Sequence, residues 1–298
     1  FAERASQECG FIDHPQTYNS REEAHQIYWG QLQCYHRLVE EHPDKFYLIQ
    51  TQADLTAGLT WWEQEPGHRR VGLVLLMEGA EGIRHPDDVG LWFEQGVRII
   101  GPAWGKNHYA GGAGDPGPFS GAGRDLLTRM AAYGLILDLS HLAEVAIYEA
   151  LADYPGPIVA THSNARALLP SVATPQRHLK DEMVRQIATR GGVIGLNLFN
   201  PFIKDGVKIG DPRNLVSVDD LIDHIDHYCQ LVGHANHLGL GSDLDGGFGL
   251  NDVPTGIDSI ADLPRLGEAL NKRGYSATEV EAILGQNWVN LLQRTLPE

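Results

Sequence analysis

Leu135-Ile-Leu-Asp-Leu-Ser-His141 is a short apolar run that ends in a histidine, and the next run downstream, Pro157-Ile-Val-Ala-Thr-His162, repeats the arrangement. Working outward, Val71-Gly-Leu-Val-Leu-Leu-Met-Glu78 ends in a carboxylate, and His237-Leu-Gly-Leu-Gly-Ser-Asp243-Leu-Asp245-Gly246 ends in two. Nearly continuous Val/Ile/Leu runs of this length read as strands buried on both faces, as parallel sheets require. Four strands that each deliver an ionisable side chain at the C-terminal end describe the rim on which α/β barrels carry their chemistry. The chain has 14 histidines, but a structural histidine has no reason to prefer that end.

The rest of the chain alternates in the same sense. Apolar residues recur at three- and four-residue intervals from Ser20 through Val39, as in an amphipathic helix. Phe46-Tyr-Leu-Ile reads as a strand, followed by helices over 52–62 and 87–94, the strand 97–100, helices over 124–133, 143–153 and 180–189, and the strand 192–197. Ser217 with Asp220 and Ser276 with Glu279 have capping-box spacing, which predicts helices over 219–231 and from Ala277 through Leu291-Leu292. The expected fold is α/β, a (β/α)8 TIM-like barrel forming one hydrolase domain over residues 1–298. Seven strands are countable against the eight of a closed barrel. The chain starts at Phe1, in mid-pattern, so the first strand is expected to lie upstream, making the domain N-terminally incomplete.

Composition narrows the partners. A formal charge of -16, from 39 acidic and 23 basic residues, disfavours phosphate backbones and anionic lipid, so neither nucleic acid nor membrane is expected. Three cysteines, Cys9, Cys34 and Cys229, without Cys-x-x-Cys spacing, support neither a disulfide framework nor a zinc knuckle, and a cytoplasmic setting is the expectation. A homodimer is kept open as the assembly.

Histidine and carboxylate are the ligands of catalytic zinc, and Glu78, His141 and His162 form one such set. Asp243 sits among small residues in Gly239-Leu-Gly-Ser-Asp-Leu-Asp-Gly246, where backbone can approach a ligand closely, and an acid there can shuttle the proton of an attacking water. Asp245-Gly246 reads equally as a turn. Within the Gly- and Pro-rich loop from Gly101 to Gly123, the stretch Tyr109-Ala-Gly-Gly-Ala-Gly-Asp-Pro-Gly117 reads as a flexible surface connection, with a substrate lid as the alternative. Dinucleotide, phosphate-loop and Gly-x-Ser-x-Gly patterns are absent.

Met77-Glu-Gly-Ala-Glu-Gly82, Gly134–His141, Ala160-Thr-His-Ser-Asn-Ala-Arg-Ala167, Arg177-His-Leu, Gly239–Gly246 and Gly285-Gln-Asn-Trp together resemble the membrane dipeptidase (renal dipeptidase) family, peptidase family M19, a branch of the amidohydrolase superfamily. The resemblance implies a zinc-dependent dipeptidase whose partner is a small dipeptide substrate. It implies two zinc ions, with Glu78 bridging them, His141 and His162 on the second, Asp243 handling the proton, and Arg177 gripping the substrate's carboxylate, where a planar bidentate donor suits. Two departures stand out. The family's His-x-Asp pair is absent, since Ile12-Asp-His14-Pro has the wrong order, which leaves one metal site incomplete in this chain. Trp104 stands where well-known members carry a histidine that polarises the scissile carbonyl, with His108 four residues on as the substitute. N-acyl amino acid deacylation, or an inactive barrel that only binds, remain the alternatives.

Overall fold

All four runs that end in ligand-type side chains become short parallel strands in the computed structural model, which describes residues 3–4, 17–64, 69–244 and 246–298. The chain groups into two compact units, Phe1–Pro157 with Leu292–Glu298, and Ile158–Leu291.

The first unit opens with two-residue strands β1 (Glu3–Arg4) and β2 (Thr17–Tyr18), paired in parallel. Helix α1 (Arg21–Glu41) starts at Ser20, whose hydroxyl accepts from the Glu23 amide at 3.2 Å, and it buries Ala24, Tyr28 and Leu32, one turn apart. There follow β3 (Phe46–Leu48), α2 (Gln52–Gln64), β4 (Val71–Leu73), β5 (Leu75–Glu78), α3 (Val89–Glu94), β6 (Val97–Gly101), α4 (Gly121–Ala132), β7 (Ile136–Asp138) and α5 (Glu144–Asp153). Strands β5, β6 and β7 pair in parallel, and every residue of β6 and β7 is buried. The run 71–78, expected as one strand, is two: β4 pairs with β3, and β5 with β6. Val74 lies at the break and packs on Ile49, Leu55 and Leu296. Burial on both faces fails here as well, with Val71 48% and Leu76 36% exposed.

The second unit holds β8 (Ile158–Val159), α6 (Asp181–Thr189), β9 (Ile194–Leu196), α7 (Asn200–Ile203), α8 (Val218–Val232), β10 (Leu238–Leu240), α9 (Pro264–Arg273), α10 (Ala277–Glu281) and α11 (Asn287–Thr295), whose last turn enters the first unit's residue range. Strands β9 and β10 pair in parallel, and Ala160 bridges to Ile194 in the same sense. Both expected caps form, the Ser217 amide donating to Asp220 and the Ser276 amide to Glu279, each at 2.8 Å. The final helix is not continuous. It widens into a π-helical turn over Ala282–Gln286, with Gly285 extended at φ 174, before α11 begins. That break turns Asn287 and Trp288 toward β10: the Asn287 amide donates to the Ala235 and Leu238 carbonyls at 2.7 Å each, and the Trp288 indole N–H to Leu240 at 3.1 Å.

The glycines beside Asp243 serve packing rather than ligand approach. A methyl on Gly239 would run into the Trp288 indole, and one on Gly195 or Gly241 into the Thr161 carbonyl. Neighbouring strand ends in this unit therefore meet backbone to backbone. Gly241→Ala is expected to lose about 1–3 kcal/mol to overpacking, whereas Gly30→Ala, in an exposed interior turn of α1 with nothing within 4 Å, should gain about 0.5–1 kcal/mol; urea unfolding of both variants checks the pair.

Candidate metal centre and proton carrier

Glu78 is the last residue of β5, and His141 lies three residues beyond β7. Glu78 Oε1 and His141 Nε2 stand 3.1 Å apart, with both side chains largely but not wholly covered. His141 has φ 66, in the left-handed region that costs a residue with a Cβ about 1–2 kcal/mol. Three contacts hold it there. Asp138, fully buried, accepts from the Ser140 amide at 2.9 Å, the Ala113 amide donates to the His141 carbonyl at 2.7 Å, and Gly112 bridges to Leu142.

The last two contacts come from the glycine-rich stretch, which corrects its reading as a surface connection. Tyr109, Ala110 and Ala113 are buried, a methyl on Gly111 would strike Gly117, and one on Gly112 would strike the Trp104 carbonyl. This loop is a packed brace for His141. Trp104 lies against the metal-type ligand itself, its ring centroid 5.7 Å from that of His141. His108 stacks on Tyr109 at 3.8 Å, and burial, with the nearby Arg21 charge, pushes its imidazole down to about 4, so it is neutral at physiological pH.

Behind Glu78 lies a pair that the sequence reading missed. The Tyr28 hydroxyl is 2.7 Å from the Glu78 carbonyl and 3.1 Å from the Glu81 carboxyl, and Glu81 is 4% exposed. A hydroxyl has one proton, and a carbonyl can only accept, so Tyr28 donates to Glu78 and Glu81 satisfies the pair best as a protonated donor. Burial raises the Glu81 carboxyl to about 7, and the opposing hydrogen bond from Asn107 offsets only part of that rise.

In the second unit, His162 follows β8, is buried, and has Nδ1 2.7 Å from the Thr161 hydroxyl. Arg177, expected either as a carboxylate grip or a surface-loop arginine, is 5% exposed at the end of a 3-10 turn, with Nη1 3.2 Å from the Ser163 hydroxyl. Asp243 lies beyond β10 at φ 56. The buried Asn197 amide donates to Asp243 Oδ2 at 2.9 Å, and its own carbonyl oxygen accepts from the Phe199 amide at 2.7 Å. Asn164, also buried, accepts from the Asn197 backbone at 2.9 Å and donates to the Asn197 and Phe202 carbonyls. A methyl on Gly246 would strike the Asp243 carboxylate, so this glycine does serve the acid. Asn197 and Asn164 were missed because an asparagine after an apolar run carries no ligand signature. Asp13, His14 and Asp245 lie outside the described residues.

The chain as a whole is similar to known proteins. A family model, membrane dipeptidase (Peptidase family M19), fits residues 11–296. An uncharacterized protein in the pqqA 5' region of Klebsiella pneumoniae is 32% identical over 90% of this chain and 95% of its own length. The dipeptidase ataJ of Aspergillus terreus is 30% identical over 89% of this chain, which spans 66% of that longer relative. A metallo peptidase from Rhodobacter sphaeroides, solved with a phosphinate mimic of the dipeptide L-Ala-D-Ala, superposes with a TM-score of 0.80 at 27% identity, covering 92% of this chain and 76% of that one.

With its folded carboxyl raised above the ordinary 4.5, Glu81 favours the folded state most at low pH, and that contribution is lost as pH rises through about 7. Metal-free protein should therefore lose stability between pH 5 and pH 8 through this group, and Glu81→Gln should flatten that part of the profile; equal slopes for both proteins in urea unfolding would refute it. From the family model and the solved relative together, the chain belongs to the membrane dipeptidase family, peptidase family M19, with that family's TIM-type α/β barrel fold, and is a metallo-dipeptidase of that class.

Proposed function

We propose that this protein is a zinc-dependent dipeptidase in which Glu78, His141 and His162 hold the metal, Arg177 takes the substrate's free carboxylate and Asp243 carries the proton. The observation that supports these assignments most is backbone strain. Among the described residues, His141 and Asp243 are the two non-glycine residues with positive φ, and such strain persists where a side chain must be aimed at a site. An imidazole and a carboxylate within hydrogen-bond distance, neither fully exposed, also have the composition of a catalytic zinc set. When bound, zinc supplies Lewis acidity, which activates water and polarises the scissile carbonyl.

The protein's own groups then divide the work. His162 would bind through Nε2, because Thr161 engages Nδ1 and fixes the ring. The neutral Asn197 amide donates to Oδ2 and orients the Asp243 carboxylate. That carboxylate takes the proton lost by the attacking water and returns it to the leaving amine. Arg177 is buried, and its planar guanidinium suits bidentate recognition of a carboxylate, so in this reading it selects substrates with a free carboxylate. Trp104 lies against His141 and covers that flank. Zinc would polarise the carbonyl, and Asp243 would move the proton. A reducing, cytoplasmic setting is part of the same proposal.

His141→Ala is expected to lose bound zinc and turnover together. Asp243→Asn should keep its zinc and lose about 10²–10⁴-fold in kcat. Elemental analysis and dipeptide assays on both variants test this, and wild-type kcat in Asp243→Asn would remove its role. Faster release of acetate from N-acetylalanine than of alanine from Ala-Ala would favour the deacylase. A protein that binds zinc and cleaves neither would be a binder.

A further inference from the structure

Three phenylalanines lie beside Arg177 that nothing in the proposed chemistry uses. The Arg177 guanidinium carbon sits 5.4 Å from the Phe202 ring centroid. Phe202 meets Phe199 edge to face at 4.9 Å, and Phe199 meets Phe248 at 4.9 Å with planes tilted by 35°. All three rings are half-buried, so each keeps accessible surface. Phe248 is also carried unusually: it is the one side chain in Gly246-Gly-Phe-Gly249, whose three glycines are exposed. A glycine loop gains nothing structurally from one large aromatic at its centre unless that ring has something to cover.

We propose that Phe199, Phe202 and Phe248 form a subsite that takes an apolar side chain on the residue bearing the substrate's free carboxylate. This rests on the reading of Arg177 as the carboxylate grip. Covalent geometry makes the connection, because the carboxylate carbon and Cβ of that residue share one Cα and lie about 2.5 Å apart. A carboxylate on the guanidinium therefore places the adjoining side chain within reach of the Phe202 ring, and the cluster extends away from there. His178, which meets Phe202 edge to face at 4.7 Å, is buried and neutral at physiological pH, its imidazole pushed down to about 3. An apolar side chain gains by leaving water against these rings, whereas an acidic one would lose its hydration without a new cation. The two backbone amide and carbonyl contacts from Asn197 to Phe199 and from Asn164 to Phe202 tie the rings to the support of Asp243, so the pocket is set in register with the acid.

The test is kcat/KM of zinc-loaded protein on Ala-Ala, Ala-Leu, Ala-Phe and Ala-Asp, with the C-terminal residue in both configurations, for wild type, Phe248→Ala and Phe248→Leu. In the better-cleaved series, wild type should prefer Ala-Phe or Ala-Leu over Ala-Asp by about tenfold or more. The ratio of Ala-Phe to Ala-Ala should fall about tenfold in Phe248→Ala and recover in Phe248→Leu. A flat wild-type profile, a preference for Ala-Asp, or an equal loss on every substrate in Phe248→Ala would overturn the subsite. Calorimetric binding of phosphinate dipeptide mimics with benzyl or methyl C-terminal side chains separates the two readings. Tighter benzyl binding without turnover would keep the subsite and remove the dipeptidase reading; cleavage with equal binding of both mimics would do the reverse.

Discussion

A parallel strand that must end in a reactive side chain faces one geometric constraint: its backbone has to turn away into a loop while its last side chain stays directed at the site. This chain meets the constraint with left-handed backbone at His141 and Asp243. Each such conformation costs about 1–2 kcal/mol for a residue with a Cβ, comparable to one or two net hydrogen bonds. The surrounding residues supply that much. At His141 the Asp138 carboxylate holds the Ser140 amide and the Ala113 amide holds the His141 carbonyl. At Asp243 the Asn197 amide holds the carboxylate, and the Gly246 amide closes a turn on the Asp243 carbonyl at 2.9 Å.

The groups behind the site residues orient them. Asp243 is proposed to accept and release a proton, which needs a carboxylate held in a fixed direction. Asn197 is neutral, fully buried and itself fixed by Asn164, which gives orientation with little electrostatic bias. Glu78 is supported through its backbone as well. Tyr28 donates to its carbonyl, and Glu81 completes the pair from a site where burial raises its carboxyl to about 7. A second ionised carboxylate so close in sequence to Glu78 would compete for the cation we propose there; a protonated one would not.

What was legible in the sequence was periodic or terminal. The strands before Glu78, His141, His162 and Asp243 and the caps at Ser217 and Ser276 follow from apolar runs and capping chemistry. What was not legible depends on partners distant in sequence. The break at Val74 marks a change of neighbouring strand, which an apolar run does not encode. Strands β1 and β2 are two residues long, too short for any period to show. Helix α9 did carry local signals, Pro264 at its first turn and Gly274 in left-handed geometry past its end, but no clean apolar stripe drew attention to them. The loop after β6 looked like a flexible connection because glycine is read as freedom, whereas Gly111 and Gly112 are there to let backbone touch backbone.

The same lesson applies to two motifs that look separate in the sequence and are one packing unit in the fold. Gly239 is small because the Trp288 indole lies over it, and that indole donates to Leu240, the last residue of β10. Asn287 binds the carbonyls at the start of the same strand. Gly241 then lets the strand end close against Thr161, next to His162. The chain Gly285-Gln-Asn-Trp288 is therefore a clamp on β10, and its effect is to fix where Asp243 emerges. A residue needs no contact with substrate to be required by the chemistry, because an acid displaced by even 1 Å from its proton donor loses much of its advantage. The glycine spacing before Asp243 and the asparagine-tryptophan pair beyond it record one requirement: the strand that carries the acid has to be held along its whole length.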